Sequence, residues 1–397
     1  MKKIAWALLC LSLCLGAVCP LSACKKTKNY ASSGLAYAII NGECTIMGIG
    51  TCSDTDVVVP ESIEGAPVTT IAGYAFRNCR RVTSVTLPQT VVRVNEGAFY
   101  NCIALSSVRL NDGLSYLGDS VFFNCAALAS VTLPQSVTHL GARAFEACQA
   151  LTSLHIPAAV AEVGEALFCN CSSLSTLSVD DNNEHFRNGN NCLIRRSTGE
   201  LVAGCEFSVI PDDGTVTRIG NSAFEGSRSL TELVLPSSVT EIGSRAFADC
   251  PSLRRVVLSD NVRRVETGAF DGCEALEWNV RELLRYLGSE SNPYLALICP
   301  ETVYVSSADI PAQTKVIAER AMYGCFSLRS VTLGAGVEVI GKEAFLNCTR
   351  LTEAIFSNTE GWHIVIGTYH METHTHAPPE NARLLIEEYV FYEWVRH

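Results

Sequence analysis

The chain has no excess of positive charge. Thirty Lys and Arg stand against 41 Asp and Glu, a formal net charge of −11 with a sequence pI near 5.3, and the basic residues form no cluster beyond short pairs. Such a surface does not hold a polyanion by its overall field, so nucleic acid is not an expected partner. After an apolar run from Ile4 to Val18, no stretch approaches the roughly 18 apolar residues that a membrane-spanning helix needs. The nucleophile elbow Gly-x-Ser-x-Gly, the phosphate loop and the dinucleotide fingerprint are all missing, so neither an enzyme nor a cofactor is expected. No Cys-x-x-Cys is accompanied by a second, so no metal site is expected.

What the chain does have is a grid. Cys79, Cys102, Cys125, Cys148 and Cys171 are 23 residues apart, and the step recurs at Cys250 to Cys273 and at Cys325 to Cys348. Three positions earlier come Phe76, Phe99, Phe122, Phe145 and Phe168, then Phe224, Phe247 and Phe270, then Met322 and Phe345. A period between about 20 and 29 residues carrying Leu-x-x-Val-x-Leu predicts a β-rich solenoid of leucine-rich type with short helical turns, elongated or arc-shaped and right-handed. In the unit Leu128 to Cys148, Val131 and Leu133 alternate with polar residues as a strand with one buried face, and Pro134 ends it. Val137 and Leu140 turn inward on the opposite wall, and Ala144-Phe145 is expected to begin one helical turn. Ten to twelve such coils at about 4.8 Å each make a rod on the order of 50 Å long. Phe145, central in the longest run, is the truncation expected to do most damage.

The predicted organisation is a leader over 1–23, a tether over 24–34, an N-terminal β cap over 35–70, and repeats over 71–179, 216–280 and 313–356. Two irregular coils, 180–215 and 281–312, interrupt them, and a C-terminal cap covers 357–397. Met1-Lys2-Lys3 before the apolar run reads as a secretion signal, and Leu21-Ser-Ala-Cys24 resembles the bacterial lipobox, in which the cysteine becomes acylated and anchors the chain to a membrane. Ordinary cleavage after Ala23, leaving Cys24 as a free thiol, is the alternative.

The recurrent Val-Thr-x-Ile-Gly-x-x-Ala-Phe-x-x-Cys-x-x-Leu-x-x-Val-x-Leu-Pro, the lead-in Val57-Val-Val-Pro60…Gly65-Ala-Pro67-Val68 and the unit Asn292-Pro-Tyr-Leu-Ala-Leu297 resemble the BspA-like, or Treponema pallidum-type, leucine-rich repeat family. The resemblance runs from about Ala36 to Trp394. Ser227 in place of cysteine, Met322 in place of phenylalanine, and Asn111, Ser259 and Gly334 in place of the strand-ending proline are local departures. The resemblance implies an exported or surface protein that adheres to host components, matrix or other bacteria. Its expected partner is an extracellular protein or glycan of unstated identity. A periplasmic, envelope-organising lipoprotein without a host ligand is the rival.

Binding is expected on the polar positions flanking the inward strand residues. These are Ser84 and Thr86, Ser107 and Arg109, Ser130 and Thr132, Ser153 and His155, Thr176 and Ser178, then Glu232 and Arg255. Arg109, His155, Glu232 and Arg255 have the reach to discriminate a ligand. The nine grid cysteines read as a buried thiol ladder that bonds to loop backbone, since nine equivalent positions point the same way. His370, His374 and His376 read as a solvated loop in preference to a zinc or copper site. Counting outward from Thr198-Gly199 as a two-residue hairpin turn sets Arg195 against Val202 and Cys192 against Cys205, where a disulfide could staple the insert; two unlinked thiols are the alternative.

Overall fold

A computed structural model describes residues 31–366, 369–372 and 378–396. Each coil of the solenoid has three walls. The first carries strands such as Ser84–Thr86 and Ser107–Arg109, which pair in parallel with Val85 level with Val108. The second carries two-residue strands, Arg93–Val94, Tyr116–Leu117, His139–Leu140 and Glu162–Val163, again parallel and offset by one repeat. A two-residue strand has too few bonds to stand alone; it forms because the coils on both sides complete its ladder.

The third wall is not the helical turn expected at Ala144-Phe145. Arg143 and Ala147 have φ of 56° and 58°, left-handed values that no helix admits, and the pair recurs at Gly97 and Asn101, Ser120 and Asn124, Arg245 and Asp249. With the left-handed residues four apart, every second N–H of the segment points along the solenoid axis. Gly97, Phe99 and Asn101 donate to the carbonyls of Asp119, Val121 and Phe123 in the next coil at 2.8, 2.9 and 2.7 Å. Asparagine tolerates such φ better than most residues, and its side chain adds to the ladder: Asn101 Nδ2 donates to Asn78 Oδ1 at 2.6 Å and Asn124 Nδ2 to Asn101 Oδ1 at 2.7 Å.

Between the walls runs the phenylalanine spine. Phe76, Phe99, Phe122, Phe145 and Phe168 stack at centroid spacings of 5.3, 5.5, 5.6 and 6.0 Å, and Phe224, Phe247 and Phe270 at 5.3 and 5.5 Å. The spine breaks after Phe168. There Gly204 lies against the Phe224 ring, where even a Cβ would approach to 2.0 Å.

The solenoid makes about 14 turns, more than the ten to twelve expected, because the inserts and caps add passes of their own. Phe186–Gly189, Cys192–Arg195 and Glu200–Ala203 form an antiparallel meander whose last strand joins the second wall beside Arg218–Ile219. Asn279–Arg281, Leu284–Leu287 and Ala296–Pro300 repeat that solution before Val316–Ile317. At the N-terminus β1 (Ala36–Ile40) and β2 (Glu43–Gly48) form a hairpin, with β2 parallel to Ala66–Ile71. The C-terminal strands Trp362–Ile366 and Glu393–Arg396 close the other end, burying Trp362 and Trp394 against Phe356.

The first wall is less regular than the sequence suggests. Val131 and Leu133 are buried as expected, but this coil forms no strand, and the wall divides on either side of it. Apolar alternation secures burial of the two side chains; the ladder also needs neighbours in register, which alternation does not encode.

Candidate binding face

On the first wall the inward residues are core, so the alternate residues necessarily face solvent. Arg109, Thr132, His155, Glu232 and Arg255 are all exposed there. His155 Nδ1 lies 2.9 Å from Ser178 Oγ, its partner in the parallel register. Glu232 and Arg255, also register partners, form an ion pair. Ser84 Oγ donates to Asp56 Oδ1 at 2.7 Å, which ties the face to the cap. The sequence-derived residues therefore form two groups. A hydroxyl-rich N-terminal stretch ends at Ser178, and a charged pair begins at Glu232.

What lies between was not anticipated. Glu206 N donates to Leu174 O at 3.1 Å, while its carboxylate accepts the amides of Arg228 and Ser229 at 3.1 and 2.7 Å, so residues 206–210 pass between the two groups as a first-wall coil. Phe207 and Val209 take the outward positions of Thr176 and Ser178 and are 67% and 64% exposed; Val234 on the following coil is 56% exposed. The signal was present in Phe207-Ser-Val-Ile-Pro211, which ends on proline as the regular strands do. It was hidden by reading the whole insert as a hairpin. The next outward residue, Val257, is covered by its bridge to Gly288 and buried, which ends the apolar patch.

The thiols face the other way. Cys102, Cys125, Cys148 and Cys171 donate to the carbonyls of Phe76, Phe99, Phe122 and Phe145 at 2.9, 3.2, 3.2 and 3.0 Å, and Cys250, Cys273 and Cys348 repeat the bond to Phe224, Phe247 and Met322. Burial pushes Cys102 up to about 12 and Cys125, Cys148 and Cys171 well above the usual thiol range. Hydrogen bonding to Cys273 and Cys325, together with burial, raises Cys250 and Cys348. Cys79, at the first position, is half-buried. Thiols held protonated are poor nucleophiles and poor metal ligands. Among the described residues no cluster of three or more potential ligands could hold a metal.

The insert's register differs from the count. Leu193 lies opposite Ala203 and Ile194 opposite Leu201 with a bulge between, so Arg195 does not face Val202; continuing the register sets Cys192 against Gly204. Cys192 and Cys205 are free thiols in this structure, the first donating to Val209 O at 3.6 Å and the second accepting from Ser208 Oγ at 3.5 Å. The strands are joined by the four residues 196–199 and not by a two-residue turn, which moves the register by two positions; the bulge restores one of them and leaves the two thiols out of opposition. His370 lies on the strand Tyr369–Glu372 near His363, at a ring spacing of 6.5 Å. His374, His376, Cys24 and the leader lie outside the described residues.

Comparison with known proteins agrees with this architecture. The profile of the BspA type leucine rich repeat region matches residues 69–193, 202–291 and 301–375. Among solved structures, a leucine rich cell surface protein from Faecalibacterium prausnitzii is 25% identical over 83% of this chain and 95% of its own, with a TM-score of 0.45. A Treponema pallidum leucine rich repeat protein is 26% identical over 57% and 91%, with a TM-score of 0.41. The pneumococcal vaccine antigen PcpA is 17% identical over 83% and 88%, with a TM-score of 0.53, a likeness of fold. No curated protein matches the chain. With nearly three quarters of its residues inside the matched repeats, the chain belongs to the BspA-type leucine-rich repeat family.

Proposed function

We propose that this chain is a non-catalytic binding protein of the bacterial surface, and that it engages a protein ligand through the first wall, centred on Phe207, Val209 and Val234. The observation that carries this reading is the exposure of those three apolar residues at grid positions which hold hydroxyls or charges on the coils before Ser178. A monomeric protein leaves such contiguous apolar surface where it has a use for it. Hot spots in protein interfaces are apolar or aromatic anchors ringed by polar groups, and here Thr176, Ser178, Glu232 and Arg255 form the ring. The Faecalibacterium protein described as a cell surface protein supports the location. Membrane attachment at Cys24 belongs to the same reading.

Two measurements test it. Protease added to intact cells should cleave the chain; full protection would favour the periplasmic, envelope-organising alternative. Cells displaying the chain should adhere to immobilised fibronectin, collagen or mucin, and Phe207→Ser/Val209→Ser should reduce adhesion about tenfold or more, the loss of one hot spot, while deglycosylating the bound ligand changes little. Unchanged adhesion by that variant would move the binding site elsewhere.

A further inference from the structure

The two ends of the solenoid are capped differently. The C-terminal cap buries its large side chains, with Trp362 and Trp394 1% and 2% exposed. The N-terminal hairpin shields the first coil with Cys44 and Ile46, which are fully buried, yet leaves Tyr37, Ile39, Ile40 and Met47 open, with Ile40 68% and Met47 52% exposed. β1 ends its sheet, and no described strand pairs its outer edge. Its sequence, Ala36-Tyr-Ala-Ile-Ile40, has neither charge nor proline, the usual protection of an exposed edge. Ile40 and Met47 lie on the face opposite the buried Cys44 and Ile46, so shielding the core does not require them; Tyr37 and Ile39 share the core-side face at the open end of the sheet and remain 40% and 38% exposed.

From these features we infer that the N-terminal hairpin lies on the lipid surface, with Ile39, Ile40 and Met47 in the headgroup layer and the solenoid standing on that end. The inference rests on the acylation of Cys24 in the reading above. Ala31, the first described residue, lies seven positions beyond Cys24. Fully extended, those seven steps span about 25 Å, so an anchored chain keeps Ala31 within that distance of the bilayer, and its first hairpin is the part of the fold nearest the anchor. Lys25, Lys26 and Lys28 lie within that tether and match the charge of anionic headgroups. Carboxylates close to the hairpin are engaged within the protein: Glu43 accepts from Thr69 Oγ1 at 3.1 Å and Glu64 from Tyr37 Oη at 2.8 Å. Isoleucine, methionine and tyrosine beside a lipid anchor add a second attachment to the first.

The test uses the full chain, expressed with its leader, labelled with an alkyne palmitate analogue and reconstituted into phosphatidylcholine–phosphatidylglycerol vesicles. Amide hydrogen exchange is followed in peptides covering 36–48, with Cys24→Ala in buffer as reference. On vesicles the hairpin amides should exchange about tenfold more slowly, a protection within the range of local opening equilibria, while the C-terminal cap is unaffected. Ile39→Lys/Ile40→Lys should retain the label and lose that protection, with exchange in the first regular coils unchanged as the check on folding. Labelled, vesicle-bound protein whose hairpin exchanges as fast as the reference overturns the placement and leaves the anchor standing. Absence of label overturns the anchor and the placement with it. Protection that appears without vesicles and grows with protein concentration assigns the edge to a second copy and also overturns the inference.

Discussion

Two stretches of the second wall occupy the same grid positions and fill them with different chemistry. In the N-terminal array the outward row is Arg93, Tyr116, His139 and Glu162. The Arg93 guanidinium lies 3.9 Å from the Tyr116 centroid, the Tyr116 and His139 rings stack at 4.5 Å, and His139 Nδ1 is 2.8 Å from Glu162. In the central array the row is Glu200, Arg218, Glu241 and Arg264. Arg218 reaches Glu241 at 2.7 Å, Glu266 at 2.9 Å and Glu200 at 3.7 Å, and Arg264 pairs with Glu393 of the C-terminal cap. Parallel coils force side chains of one row to within about 5 Å of each other. Identical charges there would repel; flat rings that stack and charges that alternate are two ways of filling the same row. The repeat dictates the spacing and leaves the chemistry free.

Five substitutions sharpen the contrast, from the largest effect to the smallest. Phe145 is stacked on both sides, whereas Phe224 has a ring neighbour on one side and Gly204 on the other. Phe145→Ala should cost about 3–5 kcal/mol and Phe224→Ala less, read from urea unfolding; equal costs would mean that the spine does not act as a stack. Arg218→Ala removes a shared partner from three carboxylates that are about one-sixth to one-third exposed; Glu200 keeps Arg195 at 3.2 Å and Glu241 keeps Arg264 at 3.9 Å, while Glu266 loses its ion pair. The pair is half-buried, so about 2–3 kcal/mol is expected, below the figure for a fully buried pair. Tyr116→Ala should cost about 1–2 kcal/mol from the lost stacking and cation–π contacts. That loss should hold in high salt, whereas the ion-pair component of the Arg218 loss shrinks; matching salt dependence would erase the distinction between the rows.

The smallest effect is a slope. Burial holds the Glu393 carboxyl above its usual range despite Arg264 beside it. A raised folded-state pKa favours the protonated form, so this contribution to stability is complete below the unfolded value of about 4.3 and is lost as pH rises through the folded one. Glu393→Gln removes the titration. The melting temperature of the wild type relative to that variant should therefore climb as pH falls from about 7 to about 5; a falling difference would show that the pairing with Arg264 outweighs burial.

Much of the fold was legible because the period is written in residues whose environment is unambiguous. Phenylalanine and cysteine at a fixed interval have one place to go, the interior, and Ser227 in place of a cysteine did not disturb the spine. Backbone handedness was not legible. Arg143, Ala147 and Ser120 carry no preference for positive φ; the coils on either side impose it by offering acceptors. Register inside the first insert was lost to a hairpin loop two residues longer than the Thr198-Gly199 turn, only partly compensated by a bulge, and the strand at Val131 to a ladder that local alternation cannot specify. On the binding face, Arg109, Thr132, His155, Glu232 and Arg255 follow from the 23-residue count, whereas Phe207 and Val209 do not, because the count passes over the insert and resumes at Glu232.

The one-way donors of the third wall give the molecule a grammar. Within the regular runs each coil offers N–H groups forward and receives them from behind, as from Gly97 through Ala147, so a unit of 23 residues copied into such a run meets a waiting acceptor on one side and a waiting donor on the other. The final coil has no successor, and Glu343 N is received instead by Val390 O of the cap at 2.6 Å. Gene duplication can therefore lengthen or shorten this chain within its regular runs at little structural cost, whereas a stop codon after the last repeat leaves a sentence without its full stop.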